Sequence, residues 1–432
     1  MNLEGATVVV LGMARSGVAA YQLLREKGAK ARAVDQNVHA APGIEIEEQR
    51  AEAFAGVDLI VVSPGVPADL DLLNAARARG VRVIGDLELA SWFLLGPVIG
   101  ITGSNGKTTT TALTGHVLKS ARIAAQVGGN IGTPPCSLVG TSKGDQWNVL
   151  ELSSFQLETS ATFRAGIGAC LNVTPDHLDR HYSLENYAEM KARLFVTQRA
   201  GDFAVLNADD AICRSYARRG EGKPVWFSST QTVSPGAYLS DGRIVLNGET
   251  VMTAAEVPMR GTHNLENTMA AAAIAQLTGA THAQIREAVK TFPGVQHRLE
   301  FVRELNGVAW YNDSKATNVD ATLKAMNAFE RGLWIILGGK DKNSDYAPLI
   351  APLKTKAHAA LLIGAAASKI HGQLDGAIPM EDCGTIDAAV RMAFDRATAG
   401  DTVLLAPACA SFDQFENYEH RGREFKRLVR EL

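Results

Sequence analysis

Cysteine, net positive charge and long apolar runs are all scarce in this sequence, and each scarcity closes off a class of function. The five cysteines, Cys136, Cys170, Cys213, Cys383 and Cys409, are scattered, odd in number and without a C-x-x-C pair. Neither a disulfide framework nor a zinc site is therefore expected, and a reducing cytosol fits best. The formal charge is -3, so no broad field draws in nucleic acid or anionic lipid, and an anionic ligand has to be held by a local site. The basic end, His420 to Arg430, is interrupted by Glu424 and reads as the solvated face of a terminal helix. The most apolar later run, Trp92 to Ile101, is too short and too rich in Gly and Pro to span a bilayer. The first residues pass from Glu4 to a β-like run, Thr7 to Leu11, without the basic start and apolar core of a signal peptide. No membrane insertion and no nucleic-acid partner are expected, and the expected compartment is the cytoplasm. Short-period repeats and low-complexity tracts are also lacking.

What is present is an ordinary globular composition, 46% apolar and 21% charged with 40 Gly in 432 residues. That length suggests about three domains, each able to bury its own core. Short β-branched runs alternate with helix-period segments from end to end, which predicts an α/β fold of parallel sheets flanked by helices. A first block opens with Val8 to Gly12, continues with a helix from about Gly17 to Lys27 and a strand ending at Asp35, and has a later strand ending at Ser63-Pro64-Gly65. A second starts at Pro97 to Gly103 and runs to the Phe292-Pro293-Gly294 break. A third holds Val308 to Asp313, Leu333 to Gly339, Ala359 to Gly364 and Thr402 to Pro407. The boundaries expected are 1–92, 93–294 and 295–432.

The strongest local signal is GITGSNGKTTT, Gly100 to Thr110, between an apolar strand and a helix that begins near Lys107. A helix N-terminus offers unpaired N–H groups and partial positive charge to a phosphate. Gly103 and Gly106 let the backbone wrap around phosphates, Lys107 can reach the β and γ oxygens, and the Thr108 hydroxyl can meet Mg²⁺. The expected triphosphate cradle is Gly103, Ser104, Asn105, Gly106, Lys107, Thr108 and Thr109. Ile101 stands where the usual P-loop pattern has its first glycine, which lies one step earlier at Gly100.

Beyond the loop, Glu151 ends a predicted strand, Val149 to Leu152, where a carboxylate can hold Mg²⁺ beside the γ-phosphate. Asp176, His177 and Asp179 follow the next strand; residue chemistry leaves open which of them meets a cation and which belongs to a solvated loop. Lys191, in a helix from about Ser183 to Val196, reads by itself as a surface lysine. In the first block, Gly12 and Gly17 fit a dinucleotide fingerprint, but Ala14 replaces the middle glycine that lets a pyrophosphate approach. This weakens a nicotinamide reading, and Asp35 can equally be a strand-capping turn residue.

GITGSNGKTTT, LELSSFQLE, NVTPDHLDRH, the following Lys191, GTHNLEN, HRLE and NDSKATN together resemble the Mur ligase family of peptidoglycan precursor synthesis. The match spans all three blocks in order. The stretch APACASFDQFENYEHRGREF is similar to the branch that adds D-glutamate. The resemblance implies a Rossmann-like N-terminal domain for a UDP-sugar, a central P-loop ATPase-type domain with a parallel or mixed sheet, and a Rossmann-like C-terminal domain that closes over the site. It implies an ATP- and Mg²⁺-dependent ligase that joins D-glutamate to the alanyl carboxylate of a UDP-linked muramoyl substrate through an acyl phosphate. Thr108, Glu151 and His177 would be metal ligands, and Lys191 a carbamylated lysine supporting a second Mg²⁺. Asn264 would meet adenine, and Arg298 and Asp313 the phosphate and ribose. Lys315 and Thr317 would face the reacting groups, and Lys342, Ser411, Phe412 and Tyr418 the carboxylates of D-glutamate. Tyr418 stands where the family has Phe and Phe412 where it has Leu. The loop Ala14-Arg15-Ser16 with Asp35, Ser63, Pro64 and Gly65 would contact the UDP group, and Asn130 the sugar-peptide part. Small-molecule substrates and a monomer are expected. Rival readings are a relative adding L-alanine, diaminopimelate or lysine, a folylpolyglutamate synthetase, and a P-loop switch without ligation. Against the switch stands the third block, with its own polar strand-end residues Asp313 and Lys315.

Overall fold

The computed structural model describes residues 3–38 and 43–432. Three sheets carry the fold. The first is all parallel, with β1 (Thr7–Leu11), β2 (Lys30–Asp35), β3 (Ile46–Glu48), β4 (Leu59–Val62) and β5 (Arg82–Gly85) in the order β3-β2-β1-β4-β5. Val8 to Leu11 are wholly buried, as a strand covered by helices on both faces must be. The helix expected from Gly17 begins at Arg15 and ends at Glu26.

The second sheet has nine strands: β6 (Val98–Thr102), β7 (Ala125–Gly129), β8 (Trp147–Glu151), β9 (Ile167–Cys170), β10 (Phe203–Asn207), β11 (Lys223–Ser228), β12 (Gly236–Ser240), β13 (Arg243–Leu246) and β14 (Glu249–Thr253). Their order is β14-β13-β12-β11-β10-β9-β6-β8-β7, parallel from β7 to β12 and antiparallel thereafter. Asp241-Gly242 and Asn247-Gly248 make the two antiparallel reversals, with φ of 48° and 68°, then 49° and 87°. Positive φ at both turn residues is what a two-residue hairpin demands.

In the third sheet, β15 (Glu300–Leu305), β16 (Val308–Asn312), β17 (Leu333–Gly338), β18 (Ala357–Ile363), β19 (Met380–Gly384) and β20 (Thr402–Leu405) run in the order β15-β16-β20-β17-β18-β19. Only β15 is antiparallel to its neighbour. The chain forms two compact units, Met1–Glu256 with Glu266–Phe292, and Val257–Leu265 with Pro293–Leu432. The first unit holds the first two sheets and the second unit the third. Among the described residues no helix is long and apolar enough to cross a membrane.

Two helices depart from their sequence reading. Leu184–Val196, capped by Ser183, turns Lys191 inward with Tyr187, Ala192 and Phe195, and Lys191 is 1% exposed rather than a surface lysine. Tyr418–Glu431 buries Arg421, Gly422, Phe425 and Val429 against the third sheet, so its basic residues are not all solvated. Both corrections have one cause: the residues recur every three to four positions on the apolar stripe of the helix, and packing overrides the preference of charge for water.

Candidate active site

The phosphate loop leaves β6 and enters the helix Lys107–Ser120 through Gly106, whose φ of 86° is left-handed. A Cβ on Gly106 would stand 2.3 Å from Asn267 Oδ1, so glycine is required there sterically as well. The loop is fixed from the β9 side. Asn105 N donates to Asn172 Oδ1 (2.8 Å), Asn172 Nδ2 donates back to Asn105 O (3.1 Å), and Ser104 Oγ donates to Thr174 O (2.9 Å). Thr108 and Thr109 are buried in the first helical turn. Lys107 Nζ donates to Gly103 O (2.8 Å) and Ser104 O (2.9 Å), folding back over the loop whose phosphate contacts the sequence predicts.

Lys191 Nζ donates to the same carbonyl, Gly103 O, at 2.8 Å and lies 4.4 Å from the centre of the Tyr187 ring. Burial, then the neighbouring charge of Lys107, lower its pKa to about 7. A large fraction of the amine is then neutral near pH 7, in the form that can react as a nucleophile.

Glu151 closes β8 in register with Ile101, which places it at the same carboxyl edge of the sheet as the loop. Its Oε1 accepts from Asn130 Nδ2 (3.1 Å), while Oε2 is buried with no hydrogen-bond partner. An orphaned buried carboxylate oxygen fits a cation ligand. His177 caps the short helix Leu178–His181 with a left-handed φ of 52°, and its ring lies 4.8 Å from that of Phe155, just beyond Glu151. Among the described residues no group of three His, Cys, Asp or Glu is gathered as a metal cage. Mg²⁺ does not need one, since it takes one or two protein groups together with water and phosphate oxygens.

The first sheet presents its predicted contacts together. Asp35 Oδ2 accepts from Met13 N (2.6 Å) and Ser63 Oγ donates to Gly12 O (2.6 Å), so both strand ends are tied to the loop of exposed Ala14 and Arg15 and half-buried Ser16. A Cβ on Gly17 would lie 1.9 Å from Gly12 O, so the second glycine keeps the turn closed. Gly65 is exposed, with Pro64 partly covered. Sequence reasoning missed Glu88. Its buried carboxylate accepts from Ala161 N (2.9 Å), Thr162 N (2.9 Å) and Phe163 N (3.0 Å), joining the helix after β5 to the nine-stranded part.

In the second unit, Asp313 is buried at the end of β16 with Oδ1 unpartnered, and Arg298 Nε is likewise buried without a partner. Burial raises the Asp313 pKa to about 6, opposed by the charge of Arg298. Asn264 donates to Arg260 O (2.7 Å) in the first turn of the helix Thr262–Leu277. Lys315 Nζ lies 5.5 Å from the Tyr418 ring centre. Ser411 is buried and Thr317 half-buried, whereas Lys342 is exposed and Phe412 is 65% exposed. Arg421, also missed, holds this region through contacts described below.

Residues 6–85 match the MurD-like N-terminal domain of Mur ligases, 101–275 the Mur ligase middle domain and 297–409 the glutamate ligase domain of Mur ligases. The chain is 58% identical to the UDP-N-acetylmuramoylalanine-D-glutamate ligase of Solibacter usitatus, over 100% of this chain and 99% of that one. The chain belongs to the Mur ligase family. A second Mur ligase of the same name, from Acidobacterium capsulatum, is 48% identical over 99% of this chain and 97% of its own. The Mur ligase fold recurs in UDP-N-acetylmuramate-alanine ligase from Thermotoga maritima, with a TM-score of 0.64 at 18% identity over 99% of each chain. That match speaks to architecture alone.

Proposed function

We propose that this Mur ligase couples ATP cleavage to the joining of D-glutamate with UDP-N-acetylmuramoyl-L-alanine, in the cytoplasmic synthesis of peptidoglycan precursor. The observation that carries the reading is likeness along the full length to relatives of that name, at 58% and 48% identity. The proposed division of labour is residues 1–92 for the UDP-sugar, 93–294 for ATP, and 295–432 for the amino acid, in a chain that acts as a monomer.

A carboxylate resists attack by an amine because it is anionic and has no good leaving group, so it is first phosphorylated by ATP. The loop from Gly103 to Thr109 receives the triphosphate, and Lys107 turns from its loop carbonyls to the transferring phosphoryl group, where its charge offsets the charge that builds up. Lys191 adds through its neutral amine to CO₂, losing a proton and becoming a carbamate. Thr108, Glu151 and His177 would hold Mg²⁺ and the carbamate would support a second Mg²⁺, which when bound would supply further charge neutralisation. Asn264, Arg298 and Asp313 receive the nucleoside end of ATP. Ala14, Arg15, Ser16, Asp35, Ser63, Pro64, Gly65 and Asn130 place the alanyl carboxylate by gripping the rest of its carrier. Lys315 and Thr317 face the reacting centre, while Lys342, Ser411, Phe412 and Tyr418 orient D-glutamate. The amine attacks the acyl carbon, phosphate leaves, and an amide remains.

The test is phosphate release from ATP with UDP-N-acetylmuramoyl-L-alanine and, in turn, D-Glu, L-Glu, L-Ala and L-Lys. Turnover is expected with D-Glu alone. Equal release with no amino acid added would make the protein a simple ATPase and overturn the reading.

A further inference from the structure

We infer that Arg421 is a positioning residue of the D-glutamate site, where its buried guanidinium sets the spacing of the loops that receive the two carboxylates of the amino acid. The inference rests on the assignment of those loops made above.

Arg421 is 0% exposed. Its Nε donates to Ser314 Oγ (2.9 Å), Nη2 to Ser314 O (2.8 Å) and Cys409 O (3.1 Å), and Nη1 to Ala410 O (3.3 Å). Ser314 precedes Lys315 in the loop after β16, and Ala410 precedes Ser411 in the loop after β20. The Ser314 hydroxyl itself donates to Tyr418 O (2.8 Å). Ala410 is in turn paired with Lys340 in both directions, at 2.8 and 3.1 Å, two residues before Lys342. One side chain therefore ties two strand-end loops directly, the second of which is paired by its backbone to a third, and each carries a residue assigned to the reaction or to D-glutamate.

The charge is the second observation. Every hydrogen-bond acceptor of the guanidinium is a neutral oxygen, and among the described residues no carboxylate forms an ion pair with it. Burial lowers its pKa to about 10, so it is protonated at neutral pH. A buried cation is ordinarily matched by an anion, because desolvation is costly. A fork of neutral donors would hold the same carbonyls. A cation with no carboxylate bonded to it, and only the longer-range charge of Asp413 beside it, suits a site whose ligand brings two negative charges of its own, and the planar fork ties the loops together as a lysine cannot.

The test compares Arg421→Lys and Arg421→Ala with wild type in the full chain, reading KM separately for D-glutamate, ATP and UDP-N-acetylmuramoyl-L-alanine. Acyl phosphate formed without D-glutamate is trapped with hydroxylamine. The expected result is a KM for D-glutamate raised about tenfold or more in both variants, with the other two KM values within about twofold and hydroxamate formation retained. Added guanidinium ion should lower the KM for D-glutamate of the Ala variant by refilling the cavity. A folded Lys variant with an unchanged KM for D-glutamate overturns the inference, as does a parallel rise in all three constants. If the Ala variant fails to fold, the Lys variant decides alone. Wild type lacking any D-glutamate-dependent turnover would instead overturn the functional reading.

Discussion

Lys191 and Asp86 show how burial sets chemistry one side chain at a time. With its amine buried, close to Lys107 and lowered to about 7, Lys191 has the neutral form that the proposed carbamylation needs. Lys191→Ala is predicted to lose about two orders of magnitude or more in kcat, with partial recovery in formate or acetate, whose carboxylate can replace the carbamate. Full activity without added acid would remove that role. Asp86, at the first position of the helix Asp86–Ser91, is raised from 3.8 to about 6 because burial outweighs donation from Leu87 N, Ser16 and Gln156. Between those two values the folded chain holds the extra proton, so stability falls as pH rises through the window and the full penalty stands above about 6. Asp86→Asn is predicted to stabilise the chain at pH 7.5 by about 3 kcal/mol and to flatten this dependence, as read by thermal melts from pH 4 to 8. A lower Tm at pH 7.5 would contradict it. The places of Lys107 and Thr108 at a helix start and of Glu151 at a strand end were legible in sequence because motif order and strand ends point to them. Lys191 and Arg421 were not legible as isolated charges. The i, i+4 spacings of Tyr187, Lys191 and Phe195, and of Arg421, Phe425 and Val429, were the available signal.

At the scale of elements, function depends on where strands end and what holds the following loops. Glu88 is the clearest strut: one carboxylate satisfies three consecutive backbone N–H groups of the segment Ala161 to Phe163 and also accepts from Trp92 Nε1 (3.2 Å). Glu88→Ala removes the acceptor of three donors, of which Phe163 N belongs to a buried residue and Ala161 N and Thr162 N to exposed ones, and a loss of about 1–3 kcal/mol is predicted from denaturant unfolding. A change below about 0.5 kcal/mol would show that water or a neighbour replaces it. The sequence located the strands at Val8, Val98 and Thr402 and the helix at Lys107 closely, because uninterrupted β-branched runs and a glycine-to-helix junction are strong local signals. The antiparallel strands β12 to β14 were not singled out. Asp241-Gly242 and Asn247-Gly248 announced both hairpins, but the segments between them carry no catalytic residue types to draw the eye.

For the whole molecule, three α/β blocks in chain order follow from the alternation of apolar runs and helical segments, whereas a mixed central sheet was among the expectations of the family resemblance alone. The Mur ligase character follows from motifs spread over all three. What periodicity could not supply was which distant polar groups would meet, because that depends on how the loops fold back on one another. Glu151 with Asn130 and Arg421 with Ser314 are each assembled from segments far apart in sequence. The central claim is that ATP activates the alanyl carboxylate before the amine arrives, which requires one carboxylate oxygen to leave with the phosphate. The direct measurement uses UDP-N-acetylmuramoyl-L-alanine labelled with ¹⁸O in that carboxylate, turned over with ATP and D-glutamate, with the phosphate analysed by mass. One labelled oxygen in each phosphate is predicted; phosphate carrying no label from the substrate would contradict the account.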